Sequence, residues 1–188
     1  MKYSKEEVRQ YVEEEDVKFI RLAFCDVFGK QKNISIMPTS FCKWIMSYYP
    51  NAHIRKEYFK KLGGEIGENS FFNTGFVVSP NNDMSYLKIG NHVSIAPNVT
   101  CICESNANNG IEINKYSYIT DRITKKGNIE IADEAWIGAN VTILPRVKIG
   151  KCAVVGAGSV VIENLEPYGV YAGVPAKKIK DIRTEGMS

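Results

Sequence analysis

Apolar residues stand at Ile131, Ile137, Ile143, Ile149, Val155 and Val161, one every six positions without a slip. The residue after each (Ala132, Gly138, Leu144, Gly150, Gly156, Ile162) is mostly small. Four after each come Ala135, Val141, Val147, Ala153, Ser159 and Leu165, again small or compact. A helix repeats at about 3.6 and a simple strand at about 2, so neither explains a period of six. A parallel β-helix does: each hexad gives one short strand and one tight turn, and three hexads close a triangular coil. The apolar residue points inward onto its equivalent in the next coil, and the small residue avoids crowding at the turn. Residues 131–148 and 149–166 then form two coils. The same register is present at Ile66, Phe72 and Val78 and, after a slip, at Ile89 and Ile95.

The bulk numbers narrow the class. With 188 residues and a net charge of +3, no broad basic face for nucleic acid is implied. No apolar run approaches the roughly 20 residues that span a bilayer, and residues 1–7 carry no signal-peptide core, so a cytoplasmic protein with no membrane partner is expected. Cys25, Cys42, Cys101, Cys103 and Cys152 are odd in number and contain no CxxC pair, so reduced and mostly buried thiols are expected, with neither disulfide framework nor metal.

The first part of the chain follows other rules. Ser4 with Glu7 forms a capping box before Val8, Tyr11 and Val12 at helical spacing. Residues 17–24 read as a strand, Phe28-Gly29-Lys30 as a turn, residues 33–36 as its partner, and Thr39 as the start of a helix through Trp44, Ile45 and Tyr48. A short helix over residues 54–62 then leads into Gly63-Gly64. The division expected is a small α+β module at 1–48 and a β-helix at 49–188. Residues 3–41, with Glu13-Glu14-Glu15-Asp16-Val17-Lys18-Phe19 and Asp26-Val27-Phe28-Gly29-Lys30, resemble the β-grasp opening of glutamine synthetase. Nothing after residue 45 resembles that family's catalytic domain, so its activity is not implied.

Ile66-Gly67-Glu68-Asn69, Ile89-Gly90-Asn91-His92-Val93, Trp136-Ile137-Gly138-Ala139-Asn140-Val141 and Gly156-Ala157-Gly158-Ser159-Val160-Val161 resemble the hexapeptide-repeat acetyltransferases, above all the maltose, galactoside and xenobiotic branch. The tail Tyr171-Ala172-Gly173-Val174-Pro175-Ala176 resembles that branch's close of the β-helix. The resemblance covers residues 50–183 and implies a mainly β protein: a left-handed parallel β-helix with an extruded loop and a C-terminal helix, working as a homotrimer. The left hand is implied by the family alone, since the ordinary crossover rule favours the right. It also implies acyl transfer from acetyl-CoA, most simply O-acetylation of a sugar or small hydroxylated acceptor, with no metal.

The period breaks between Cys101 and Asn128, where the family extrudes its catalytic loop. The family's loop histidine, which takes the acceptor's proton, aligns with Asn106, and residues 103–110 hold no histidine. His92 reads as an exposed turn residue and His53 as a surface or packing residue. Glu104 is then the best remaining base, Asn106 can orient a hydroxyl or carbonyl but cannot take a proton, and Cys103 is a distant third. For the CoA side, the resemblance assigns Ala139, Ala157 and Gly158 to the pantetheine groove, Trp136 to the acyl end, and Lys177 and Lys180 to the nucleotide phosphates. Trp136 serves equally well as the cap of a hydrophobic edge. Glu163 stands where some relatives carry a basic residue, which would weaken or re-route the phosphate contacts. The missing histidine leaves a second reading open: a silent trimer used for binding or scaffolding. A zinc enzyme of the same fold would need three histidines, and the chain has two.

Overall fold

The computed structural model describes residues 20–25, 30–36, 38–79 and 83–185. The expected helix at residues 4–12 and the hairpin turn at 28–29 lie outside them. Strands β1 (Ile20–Cys25) and β2 (Gln31–Ile36) pair antiparallel, with Ile20 opposite Ile36 and Cys25 opposite Gln31. Helix α1 (Pro38–Tyr48) and helix α2 (Ala52–Lys61) follow. Asn51 starts α2 by accepting from the backbone N–H groups of His53 (2.9 Å) and Ile54 (3.3 Å). Gly64 follows the helix because a Cβ there would lie 2.2 Å from the Phe59 ring.

From residue 65 the chain winds as the hexads require, into a three-sided parallel β-helix. The first face stacks β3 (Glu65–Ile66), β6 (Leu87–Ile89), β11 (Ile129–Ile131) and β14 (Lys148–Ile149). The second stacks β4 (Phe71–Phe72), β7 (Ser94–Ile95), β12 (Trp136–Ile137), β15 (Val154–Val155) and β17 (Gly169–Ala172). The third stacks β5 (Val77–Ser79), β8 (Thr100–Ile102), β13 (Thr142–Ile143) and β16 (Val160–Val161). The inward ladder on the second face, Phe72, Ile95, Ile137, Val155 and Tyr171, is at most 6% exposed throughout. Cys101 fills the third-face ladder between Val78 and Ile143, so it is a core residue. The register slip falls between β5 and β6, where Met84–Tyr86 forms a 3-10 turn.

The glycines after the apolar residue are demanded by the neighbouring coil rather than by their own turn. A Cβ on Gly138 would sit 2.6 Å from the Ala157 nitrogen, and one on Gly90 2.7 Å from the Asp133 nitrogen. The left-handed backbone falls elsewhere in each hexad, at Glu134, Asn140, Arg146 and Cys152, with φ between 55° and 70°. Gly158 continues that series at φ 72°. His92, at φ 56°, is the exposed corner residue that the sequence suggests.

Aromatic and sulfur side chains plug the first coil. Phe59 from α2 meets Phe72 edge-on at 5.5 Å, Phe72 stacks on Phe76 at 4.5 Å, and Met46 from α1 joins the same core. The other end departs from expectation. In place of a C-terminal helix the chain makes strand β18 (Lys177–Asp181), antiparallel to β17, and among the described residues after it Ile182–Glu185 forms a 3-10 turn. Gly173, at φ 102°, lets the chain double back, and the free edge of β17 offers backbone partners that a helix would leave unpaired.

Candidate active site

Residues 103–128 leave the third face and return to the first. Their neck is an antiparallel ribbon, β9 (Glu104–Ser105) with β10 (Lys125–Lys126), in which Glu104 stands opposite Lys126. Lys126 Nζ lies 2.8 Å from Glu104 Oε2, and Asn106 Nδ2 donates to Glu104 Oε1 at 2.9 Å. The Lys126 ammonium also lies 5.1 Å from the centre of the Tyr86 ring. Its pKa is raised, first by the Glu104 hydrogen bond and then by that of Tyr86. Glu104 and Asn106 are thus brought together, with a lysine that sequence reasoning missed. Register across an extruded ribbon is fixed only on folding, so residues 22 apart in the chain carry no signal of it.

Cys103, beside Glu104, is buried, and burial pushes its thiol up to about 11. Burial and a raised pKa both stand against a nucleophilic role, since the thiolate is the reactive form. His53 is exposed and packs edge-on against Phe71 at 4.8 Å, far along the chain from the loop.

The cofactor-side residues gather on another edge. Ala139, Ala157 and Gly158 occupy the corner between the second and third faces, where the Gly158 N–H donates to the Ala139 carbonyl at 2.8 Å. Where a Cβ of Gly158 would point, there is open space. Trp136 projects outward from the second face beside this corner and is 60% exposed. Lys177 and Lys180 are exposed on β18, a strand rather than a helix, and Lys177 Nζ pairs with Glu163 at 2.8 Å. The neighbouring Lys178 pairs with Glu166 at 2.8 Å. Within one chain, Glu104 and the small-residue corner therefore lie at opposite edges of the third face. The cleft between α1 and the first coil, lined by Trp44, Tyr48, Val77 and Met84, lies at the other end of the β-helix from Lys177.

Comparison with known proteins agrees with this architecture. The family described as "Bacterial transferase hexapeptide (six repeats)" matches residues 128–163. A galactoside O-acetyltransferase from Lactococcus lactis is 32% identical over 152 residues, which cover 66% of this chain and 68% of that protein. The chain belongs to the hexapeptide-repeat acetyltransferases. A chloramphenicol acetyltransferase from Klebsiella aerogenes is 29% identical over 151 residues, covering 73% of this chain and 72% of that one. Among solved structures, a galactoside acetyltransferase in complex with coenzyme A superposes with a TM-score of 0.55 at 26% identity, covering 77% of this chain and 78% of that one. A hexapeptide-repeat acetyltransferase from Vibrio cholerae, complexed with acetyl-CoA, gives 0.58 at 24% identity over 77% and 85% of the two chains, a likeness of fold. The β-helix of this acetyltransferase is accordingly left-handed. These matches lend no support to the glutamine synthetase likeness of residues 3–41. Among the described residues, no helix is long and apolar enough to cross a membrane.

Proposed function

We propose that this protein transfers an acetyl group from acetyl-CoA to a hydroxyl of a sugar or small hydroxylated acceptor. The observation that carries the reading is the small-residue corner. Ala139, Ala157 and Gly158 stand together there, with open space where a Gly158 side chain would be and the exposed Trp136 on the adjoining strand. Pantetheine is a thin chain of amides, and such a corner with accessible backbone suits it. Lys177 and Lys180 then meet the nucleotide phosphates through charge-assisted hydrogen bonds, after Lys177 gives up Glu163. Trp136 lies by the thioester. Glu104 takes the acceptor's proton, and Asn106 orients the hydroxyl or the carbonyl. The relatives support this chemistry: their names include galactoside O-acetyltransferases, and one similar structure holds coenzyme A.

A homotrimer supports the same reading. The outward column of the first face is Glu65, Lys88, Glu130 and Lys148, with ion pairs at 2.9 and 3.1 Å, a self-neutralised ladder suited to water. Up to β17 and β16 the outward columns of the other faces are uncharged: Phe71, Ser94, Trp136, Val154 and Val170 on one, Val77, Thr100, Thr142 and Val160 on the other. Ile111 in the loop is 84% exposed and Tyr118 60%. A neighbouring copy covers these surfaces and brings its loop edge to the small-residue corner. Sedimentation should give three times the 21.1 kDa chain mass; a stable monomer with CoA bound would overturn the trimer. On this reading residues 1–48 are an α+β module whose last helix covers the end of the β-helix. The free thiols of Cys42, Cys101, Cys103 and Cys152 suit the cytoplasm.

Calorimetric titration with acetyl-CoA and CoA tests the cofactor side. Saturable binding in the micromolar range is expected, and it should be lost on changing Lys177 and Lys180 together to Glu. No binding at millimolar ligand would replace the enzyme reading with a silent trimeric scaffold.

A further inference from the structure

We propose that Lys126 is a positioning residue for acetyl transfer, fixing the Glu104 carboxylate in place by anchoring it to the protein core through Tyr86. This rests on the reading of Glu104 as the base.

Each link is a separate contact. Asp83 accepts from the Ser85 N–H at 2.8 Å and so starts the short turn Met84–Tyr86. Met84 is 1% exposed, and the Tyr86 ring packs against the buried core. Above that ring lies the Lys126 ammonium, 5.1 Å from its centre. The ammonium reaches Glu104 Oε2 at 2.8 Å, and Asn106 holds the other carboxylate oxygen at 2.9 Å. A loop carboxylate without such ties samples many rotamers. This one is held by two donors, and the charged one lies over a ring packed against the β-helix core. The arrangement gives a loop group the placement that catalysis ordinarily draws from a rigid element.

The ties leave the carboxylate able to react. Two carboxylate oxygens offer about four acceptor positions, and Lys126 and Asn106 occupy two of them. In the step, the acceptor oxygen attacks the thioester carbon while its proton passes to Glu104. The carbon–sulfur bond then breaks and the proton leaves on the CoA thiol, so charge and atoms balance with Lys126 protonated throughout. Salt-bridged lysines at a surface mostly contribute little to stability. Lys126 is 51% exposed at its side chain, so its removal should be felt in catalysis and scarcely in folding.

The test uses the full chain with acetyl-CoA and a galactoside or maltose acceptor, following release of the CoA thiol. Lys126→Met should lower kcat by about tenfold or more, because a misplaced catalytic group costs up to about a hundredfold. The KM for acetyl-CoA should stay within about twofold, and Lys126→Arg should restore most of kcat. In a Glu104→Gln background, Lys126→Met should cause no further loss. If Lys126→Met leaves kcat unchanged while Glu104→Gln abolishes it, the positioning role is wrong and the base assignment survives. A low kcat that Lys126→Arg does not restore, with KM raised in step, marks a structural role and also overturns the proposal. If Glu104→Gln itself is fully active, or the wild type transfers to no acceptor, the underlying reading fails and this inference goes with it.

Discussion

Replacing Arg55 by methionine should destabilise the protein by on the order of 3–5 kcal/mol, the largest single-residue effect expected outside the apolar core. Arg55 is 3% exposed, near the start of α2. Its Nε and Nη2 donate to the Phe72 carbonyl at 3.2 and 2.7 Å, and its Nη1 donates to the carbonyls of Tyr49 and Pro50. Those last two carbonyls belong to the chain leaving α1, where helix ends have no partners of their own. One planar fork therefore ties α1, α2 and the first coil of the β-helix together. Methionine keeps much of the stem's packing but leaves the buried Phe72 carbonyl and two part-buried ones short of a donor. Lysine keeps the charge but is a point donor, and should recover less than half of the loss. Thermal or urea unfolding at fixed protein concentration reads the effect, with a fall in Tm of about 10 °C for a chain of this size. A fall under about 2 °C would mean that water reaches these carbonyls and that the plug is not held by Arg55.

The largest functional effect is expected at Glu104. Glu104→Gln keeps the shape but offers one acceptor oxygen where Lys126 and Asn106 each use their own, and it cannot take a proton from an acceptor hydroxyl. A general base contributes about 10²–10⁴-fold, so kcat should fall within that range. Stability should barely change, since the Lys126 pair is a surface one. Affinity for acetyl-CoA should hold too, because on this reading its contacts are Ala139, Ala157, Gly158, Lys177 and Lys180, while Glu104 meets the acceptor hydroxyl. The readouts are thiol release with a proven acceptor, calorimetry with CoA, and a melting curve on the same sample. Turnover within twofold of wild type would remove Glu104 from the mechanism. With no histidine in residues 103–110, acid–base help would then have to come from elsewhere in the trimer.

The placement of Ala139, Ala157 and Gly158 at one corner of the coil was more legible than the setting of Glu104. Ala139, Ala157 and Gly158 sit in the repeat itself, so one register error would have moved them all, and the period admits none. Glu104 and Asn106 were visible as polar residues where the period stops, but what holds them was not. Lys177 was visible as a cation near the tail. Its pairing with Glu163 was not, since that contact crosses 14 residues and depends on β18 folding back. The expected C-terminal helix failed for the same reason: local pattern carries no information about a free strand edge waiting at β17.

What the sequence determined by itself was the β-helix. A six-residue period is local and repeated, and each hexad places its apolar residue inward whatever the others do, so the stacking of Ile137 on Val155 and the close approach of Gly138 to Ala157 follow from counting. Tertiary structure alone decided the contacts that break the repeat: Arg55 closing the open end, Lys126 reaching Glu104, and β18 covering the last edge. These join residues distant in the chain through side chains that many positions could supply. Their identity is fixed by which backbone groups the repeat leaves unpaired, and that is known only once the coils are stacked.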